Sequence, residues 1–183
     1  MREVETARLL LRRWQDDDLE RLVALYADPQ VARFLSVEGR PWPRERSVEV
    51  FEHFRRQWRE HGFGPWAAID KDSGRWLGQI GLNELPRWPG RDKVEVGWDL
   101  HPSVWGRGLA TEGARAALRY GFEVVGLERI ISTARADNAA SRRVMAKCGL
   151  RLQEEFIHKG VLVAWYAIDR ADWLVQRSGG VVP

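Results

Sequence analysis

Between Trp98 and Thr111 an apolar strand candidate ends, Pro102 breaks it, Gly106 and Gly108 follow, and a helix rich in small residues begins at Leu109. Glycine lets the backbone adopt otherwise strained angles and approach a ligand closely. The free N–H groups at a helix start face any anion placed there, aided by the helix dipole. Successive amides of this kind form an anion-binding nest, for which a pyrophosphate is a natural guest. A dinucleotide fingerprint needs a third glycine at position 111, where Thr111 stands, and the Gly-Lys-Ser/Thr of a P-loop is absent. A plain tight turn into a helix is the competing reading of two glycines alone.

The flanking periodicities place this loop in a mixed α/β chain. A strand is expected over 8–14, and Asp16, Asp17 and Asp18 offer N-cap and first-turn acids to the helix after it. Helices are expected over 29–35 and 44–61, with a loop over 39–43 between them. Strands over 64–69 and 76–85 flank a turn at 71–74, and a loop spans 87–92. A strand at 94–100, a helix at 109–125, a strand at 129–134 and a helix at 139–148 follow. Strands at 150–158 and 161–169 join through a two-residue turn at Lys159 and Gly160. A helical turn at 170–177 and a loose tail over 178–183 end the chain. The expected fold is a single α/β domain over 5–175, a central mixed, mostly antiparallel sheet with helices on its faces.

Composition narrows the function. The chain has 183 residues, 29 basic and 26 acidic, a net charge of +3. That balance lacks the concentrated basic excess of a nucleic-acid binder but leaves room for a local polyanion site. Arg12, Arg13, Arg55 and Arg56 read as solvated. The ten tryptophans fall mainly in periodic segments and read as core. One cysteine, Cys148, excludes an internal disulfide framework and reads as a small core residue. His53, His61, His101 and His158 have no metal-ligand spacing, so no metal is expected. No apolar run approaches the length of a membrane span, and no secretory leader is apparent, which points to the cytoplasm.

Several segments together carry a resemblance. Pro102 followed by Gly106-Arg107-Gly108-Leu109-Ala110 resembles the acyl-CoA pyrophosphate loop of the GNAT superfamily of N-acetyltransferases. Asn138-Ala139-Ala140-Ser141, on a helix ending in Gly149-Leu150, resembles its Asn-x-x-Ser helix. The opening Glu5-Thr6-Ala7-Arg8-Leu9, the stretch Val94-Glu95-Val96-Gly97-Trp98, and Trp105 to Glu112 resemble its ribosomal-protein acetylating branch. The resemblance implies acetyl transfer from acetyl-CoA to an amine. It implies contacts to the coenzyme from Trp98 and Leu100 on the strand edge and from Trp105, Gly106, Arg107, Gly108, Leu109, Ala110 and Thr111 in the loop. Asn138 and Arg143 would add to these. Arg107, Arg142 and Arg143 could meet the cofactor phosphates, since guanidinium groups pair well with them, and surface solvation is an equal reading of Arg142 and Arg143. It further implies that the strand ending at Leu100 splays from its neighbour, with an N–H near Leu100 facing the thioester carbonyl. The tyrosine acid of other superfamily members is not evident, and Tyr166 has no assigned place.

The chemistry sorts the remaining candidates. A thiol of pKa about 8.5 leaves with little protonation, so Ser141 is better cast as a hydrogen-bond donor to sulfur than as a strong acid. Ordinary capping around Asn138 is the competing reading of Ser141. Deprotonating a lysine at pH 7 costs about 4.6 kcal/mol, an α-amine only about 1.1. Glu95 is the best candidate base, with a solvated strand carboxylate as the alternative and Asp99 and Glu84 as weaker choices. The expected acceptor is the α-amine of a peptide or protein N-terminus. A small-molecule amine, a non-catalytic acyl-CoA-binding module and a nucleotide-binding domain are the alternatives. The chain is expected to be a monomer or homodimer without nucleic-acid or membrane partners.

Overall fold

In the computed structural model, which describes residues 3–35, 38–85 and 93–178, alternate strand residues are buried and bring the strands into one sheet. Leu9 and Leu11 are fully buried while Leu10 and Arg12 are half-buried, the two-residue period of a strand with one face on the core. The strands are β1 (Val4–Glu5), β2 (Leu9–Arg12), β3 (Pro65–Asp70), β4 (Trp76–Glu84), β5 (Val94–Leu100), β6 (Arg129–Arg135), β7 (Arg151–His158) and β8 (Val161–Asp169). They lie in the order β1-β2-β3-β4-β5-β6-β8-β7. All neighbours are antiparallel except β5 and β6. This is the mixed, mostly antiparallel sheet expected from the sequence.

Helices α1 (Asp18–Ala27), α2 (Pro29–Leu35) and α3 (Arg44–Glu60) follow β2. Helix α4 (Leu109–Tyr120) connects β5 to β6 and continues as a π-turn over Gly121–Val125. Its small residues have a packing reason. A Cβ at Gly113 would lie 2.4 Å from Ile80 Cδ1, and one at Gly121 2.7 Å from Ile130 Cδ1. The helix therefore rides directly on the sheet, and overpacking there is destabilising. Helix α5 (Ala139–Lys147) leads to the β7–β8 hairpin, where Lys159 and Gly160 both have positive φ, +48° and +82°. That is the geometry a two-residue hairpin turn requires.

Some local expectations need correction. Arg12 is not solvated: it donates to both carboxylate oxygens of Asp18, at 2.6 and 2.9 Å. Asp18 is fully buried and accepts the Gln15 N–H at 2.9 Å. Burial opposes ionisation of Asp18, yet the hydrogen bonds from Arg12 and Gln15 hold its carboxyl below the usual range. The acid run thus supplies an interior ion pair rather than a side-chain N-cap. Arg55 pairs with Asp16 at 2.9 Å and Glu52 at 3.7 Å. Ser178, expected in the tail, ends helix α6 (Arg170–Ser178), while 179–183 and the loop at 87–92 lie outside the described residues.

Candidate active site

Strands β5 and β6 each run seven residues but share a single register pair, Glu95 with Ile131. Beyond it the Ser132 hydroxyl donates to the Val96 carbonyl at 2.8 Å, a side chain standing where a backbone ladder would otherwise run. Both strands feed helices at their C-terminal ends, so the starts of α4 and α5 sit at the end where the strands part. In open α/β sheets ligands bind in such crevices. The His101 N–H donates to the Leu77 carbonyl on the β4 side at 2.8 Å. Alternation therefore turns the Leu100 N–H and C=O toward the parted side. The Trp105 indole donates to the Leu100 carbonyl at 2.7 Å, tying the loop to the strand end.

The glycine loop has the conformation its sequence asks for. Gly106 and Gly108 have φ of +74° and +79°, and Gly108 is the left-handed N-cap of α4. A Cβ at Gly106 would meet nothing within 4 Å, and one at Gly108 only Arg8 Nη2 at 3.6 Å. The loop is open above the helix start. Among the described residues the amides of Leu109, Ala110 and Thr111 have no backbone partner, as the first turn of a helix leaves them. Open space, unpaired amides and the exposed side chain of Arg107 fit a pyrophosphate. The loop is braced from behind. Arg8 donates through Nη1 to the Arg107 carbonyl at 2.9 Å and through Nε to Glu112 at 2.7 Å. Glu112 also accepts the Arg8 N–H at 2.8 Å and the Thr6 hydroxyl at 2.6 Å. Neither Glu112 nor Arg8 stood out as a site residue in the sequence.

On α5 the Asn138 carboxamide oxygen accepts the Ser141 N–H at 3.1 Å, an N-cap contact. The cap uses the Ser141 backbone only. The Ser141 hydroxyl has no hydrogen-bond partner among the described residues, so it is available to a ligand. Arg142 turns inward to the Tyr166 hydroxyl (3.1 Å), the Ala136 carbonyl (3.0 Å) and Glu155 (2.7 Å). It braces the β8 side, only partly exposed, and is not free for a phosphate. Arg143 is exposed beside it.

Glu95 lies at the root of the parted strands. Asn83 Nδ2 donates to its Oε1 at 3.4 Å and Thr133 Oγ1 to its Oε2 at 3.2 Å. Burial raises its carboxyl to about 7, against those two hydrogen bonds and with help from Asp99. Asp99, on the same face of β5, is also raised by burial, against hydrogen bonds from Gln79 (2.7 Å) and Tyr26 (3.1 Å). Between them sits Gly97, where a Cβ would meet nothing within 4 Å. Two carboxyls therefore flank an opening on one strand face. Glu84 instead pairs with His61 at 3.0 Å. A carboxyl near 7 is half ionised at neutral pH and can both take and release a proton.

Residues 8–151 match the family model described as Acetyltransferase (GNAT) domain. The chain belongs to the GNAT acetyltransferase family. As a GNAT protein it is an enzyme, an acyl-CoA-dependent acetyltransferase. The FsC-acetyl coenzyme A-N(2)-transacetylase of Aspergillus fumigatus is 33% identical over 192 residues, 96% of this chain and 79% of the relative. A solved acetyltransferase from Agrobacterium tumefaciens superposes with a TM-score of 0.78 at 28% identity, covering 91% of this chain and 94% of that one. RimL, a ribosomal alpha-N-protein acetyltransferase solved with coenzyme A, has the same fold at a TM-score of 0.75. It is 16% identical, covering 92% of this GNAT chain and 98% of its own.

The structure thus sets the glycine loop and the Asn138–Ser141 start of α5 beyond the C-terminal ends of β5 and β6, with Glu95 deeper at the root of the crevice. Sequence reading missed Asn83, Thr133, Gln79 and Tyr26, which surround the two carboxyls. The polar residues Gln79 and Asn83, four apart in a strand otherwise apolar up to Glu84, were the available signal. Cys148 is buried, its thiol raised to about 11 by burial, with Sγ 3.7 Å from the Thr111 carbonyl. Among the described residues no cluster of three His, Cys, Asp or Glu could hold a metal, and no helix is long and apolar enough to cross a membrane.

Proposed function

We propose that this acetyltransferase moves the acetyl group of acetyl-CoA to an α-amine, that of a peptide or protein N-terminus, by direct attack in a ternary complex in the cytoplasm. Glu95 takes a proton from the acceptor ammonium through water, because Leu100 lies five residues further along the strand. The freed amine nitrogen attacks the thioester carbonyl carbon, and the Leu100 amide faces the oxygen as it gains charge. The C–S bond then breaks, and the sulfur leaves as a thiolate beside the Ser141 hydroxyl, which donates a hydrogen bond to it. The amide nitrogen loses its remaining extra proton to solvent. Gly106, Gly108 and the first amides of α4 hold the pyrophosphate, with Trp105 securing the loop and Arg107 and Arg143 near the phosphates. Trp98, on the same strand edge, borders the pantetheine arm.

The observation that carries this reading is the Glu95 carboxyl, near 7 beside open space over Gly97. Taking a proton from an α-ammonium of pKa about 7.8 then costs about 1 kcal/mol, and from a lysine about 4.6. The tight Lys159-Gly160 turn leaves little chain to enclose the acceptor, which suits an extended peptide. A small-molecule amine is the second reading, favoured by the name of the fungal relative, an N(2)-transacetylase. The test is thiol release from acetyl-CoA with N-terminal peptides, internal-lysine peptides and small polyamines at equal concentration. A clear preference for lysine side chains or polyamines sinks the α-amine reading.

A further inference from the structure

The Glu95 carboxylate is gripped from the strands on both sides of β5. Asn83, its direct cross-strand partner on β4, reaches Oε1 at 3.4 Å, and Thr133 on β6 reaches Oε2 at 3.2 Å. Behind Asn83 stands Gln57 of α3, only 2% exposed, whose Nε2 donates to Asn83 Oδ1 at 3.0 Å. The same nitrogen contacts His53 Nε2 at 2.7 Å and the Glu84 carbonyl at 3.3 Å. Gln57 Oε1 is buried without a hydrogen-bond partner. A buried, unsatisfied amide oxygen is costly, so an arrangement that retains one is over-determined elsewhere. With its oxygen engaged by Gln57, Asn83 can only turn its NH2 toward Glu95.

No cation pairs with Glu95 among the described residues. The titratable groups around it are Asp99 on β5, Tyr26 of α1 on Asp99, the Glu84–His61 pair, and His53 with Arg56 beside it on α3. A guanidinium or ammonium in place of the amide and hydroxyl would hold the carboxylate but suppress its basicity. Neutral donors orient it at a smaller loss of basicity. We propose, on the reading that Glu95 is the base, that Asn83 and Thr133 are positioning residues that aim its carboxylate at the acceptor, with Gln57 locking Asn83.

The test is the pH profile of kcat/KM for the full chain and for Thr133→Val, Thr133→Ser, Asn83→Asp and Glu95→Gln. A long hydrogen bond to a charged acceptor is worth about half to one unit of acid-limb shift. Thr133→Val should therefore move the acid limb up by about that much and lower the alkaline plateau several-fold, because the carboxylate loses one of the two donors that aim it. Thr133→Ser should restore the limb. Asn83→Asp, which sets a second charge beside Glu95, should move it further up. An acid limb that Thr133→Val leaves in place, whatever becomes of the plateau, overturns the proposal while loss of the limb in Glu95→Gln keeps the base reading. Glu95→Gln with full activity and an intact limb removes the base reading and this proposal with it.

Discussion

Replacing Glu95 by glutamine should make the protein more stable and nearly inactive, and the gain in stability should depend on pH. The native carboxyl titrates near 7, against an ordinary 4.5. The native state therefore holds a proton that the unfolded chain has already lost between those values. Stability falls as pH rises through that window, and the full cost stands above pH 7. A shift of that size corresponds to about 3 kcal/mol. Glu95 is half-buried rather than enclosed, and solvent screening brings the figure to about 2 kcal/mol. Glutamine has no charge to desolvate. At pH 8.5 Glu95→Gln should gain about 2 kcal/mol, or about 4–8 °C in Tm, and at pH 4.5 only a few tenths. Turnover should drop by about 10²–10⁴. Urea titrations at the two pH values, beside thiol-release kinetics, measure both effects. A variant no more stable at pH 8.5 than at pH 4.5, or a wild-type acid limb near 4.5, would falsify the assignment of a raised carboxyl.

Gly108→Val forces a β-branched residue to a φ of +79°, a strain of about 1–2 kcal/mol that the fold survives. It crowds the helix start, so calorimetry should show acetyl-CoA affinity down at least tenfold, and unchanged affinity removes the loop from the site. Ser141→Ala should lower turnover by about 10- to 100-fold with stability within about 0.5 kcal/mol, because the thiolate leaves readily unaided. Asn138→Ala, which removes the cap, should cost about 1 kcal/mol of stability, and equal stability losses in the two variants would return Ser141 to a structural role. Gly97→Leu fills the opening between Glu95 and Asp99, so acceptor KM should rise at least tenfold while acetyl-CoA affinity stays within twofold. A KM that does not move places the acceptor elsewhere.

The order of elements was legible in the chain because each rests on a local rule. Alternation in Leu9 to Arg12, the helical stripe through Phe51, Phe54 and Trp58, and the Lys159-Gly160 turn need no distant partner to be recognised. The glycine loop was legible for the same reason, since Gly106 and Gly108 state a backbone requirement in their own identity. Glu95 was visible as a carboxylate on the right strand, but its basicity was not. That value comes from burial set against hydrogen bonds from Asn83 and Thr133, residues 12 and 38 positions away that β4 and β6 bring to its two oxygens. Arg12 and Arg142 show the same limit, solvated by composition and engaged by Asp18 and by Tyr166 in the fold. The sequence by itself determined which backbone shapes the chain adopts, because φ/ψ preference and hydrophobic period act over a few residues. Only the tertiary structure decided which side chains share a low-dielectric space, because desolvation and hydrogen bonding depend on neighbours brought from across the chain.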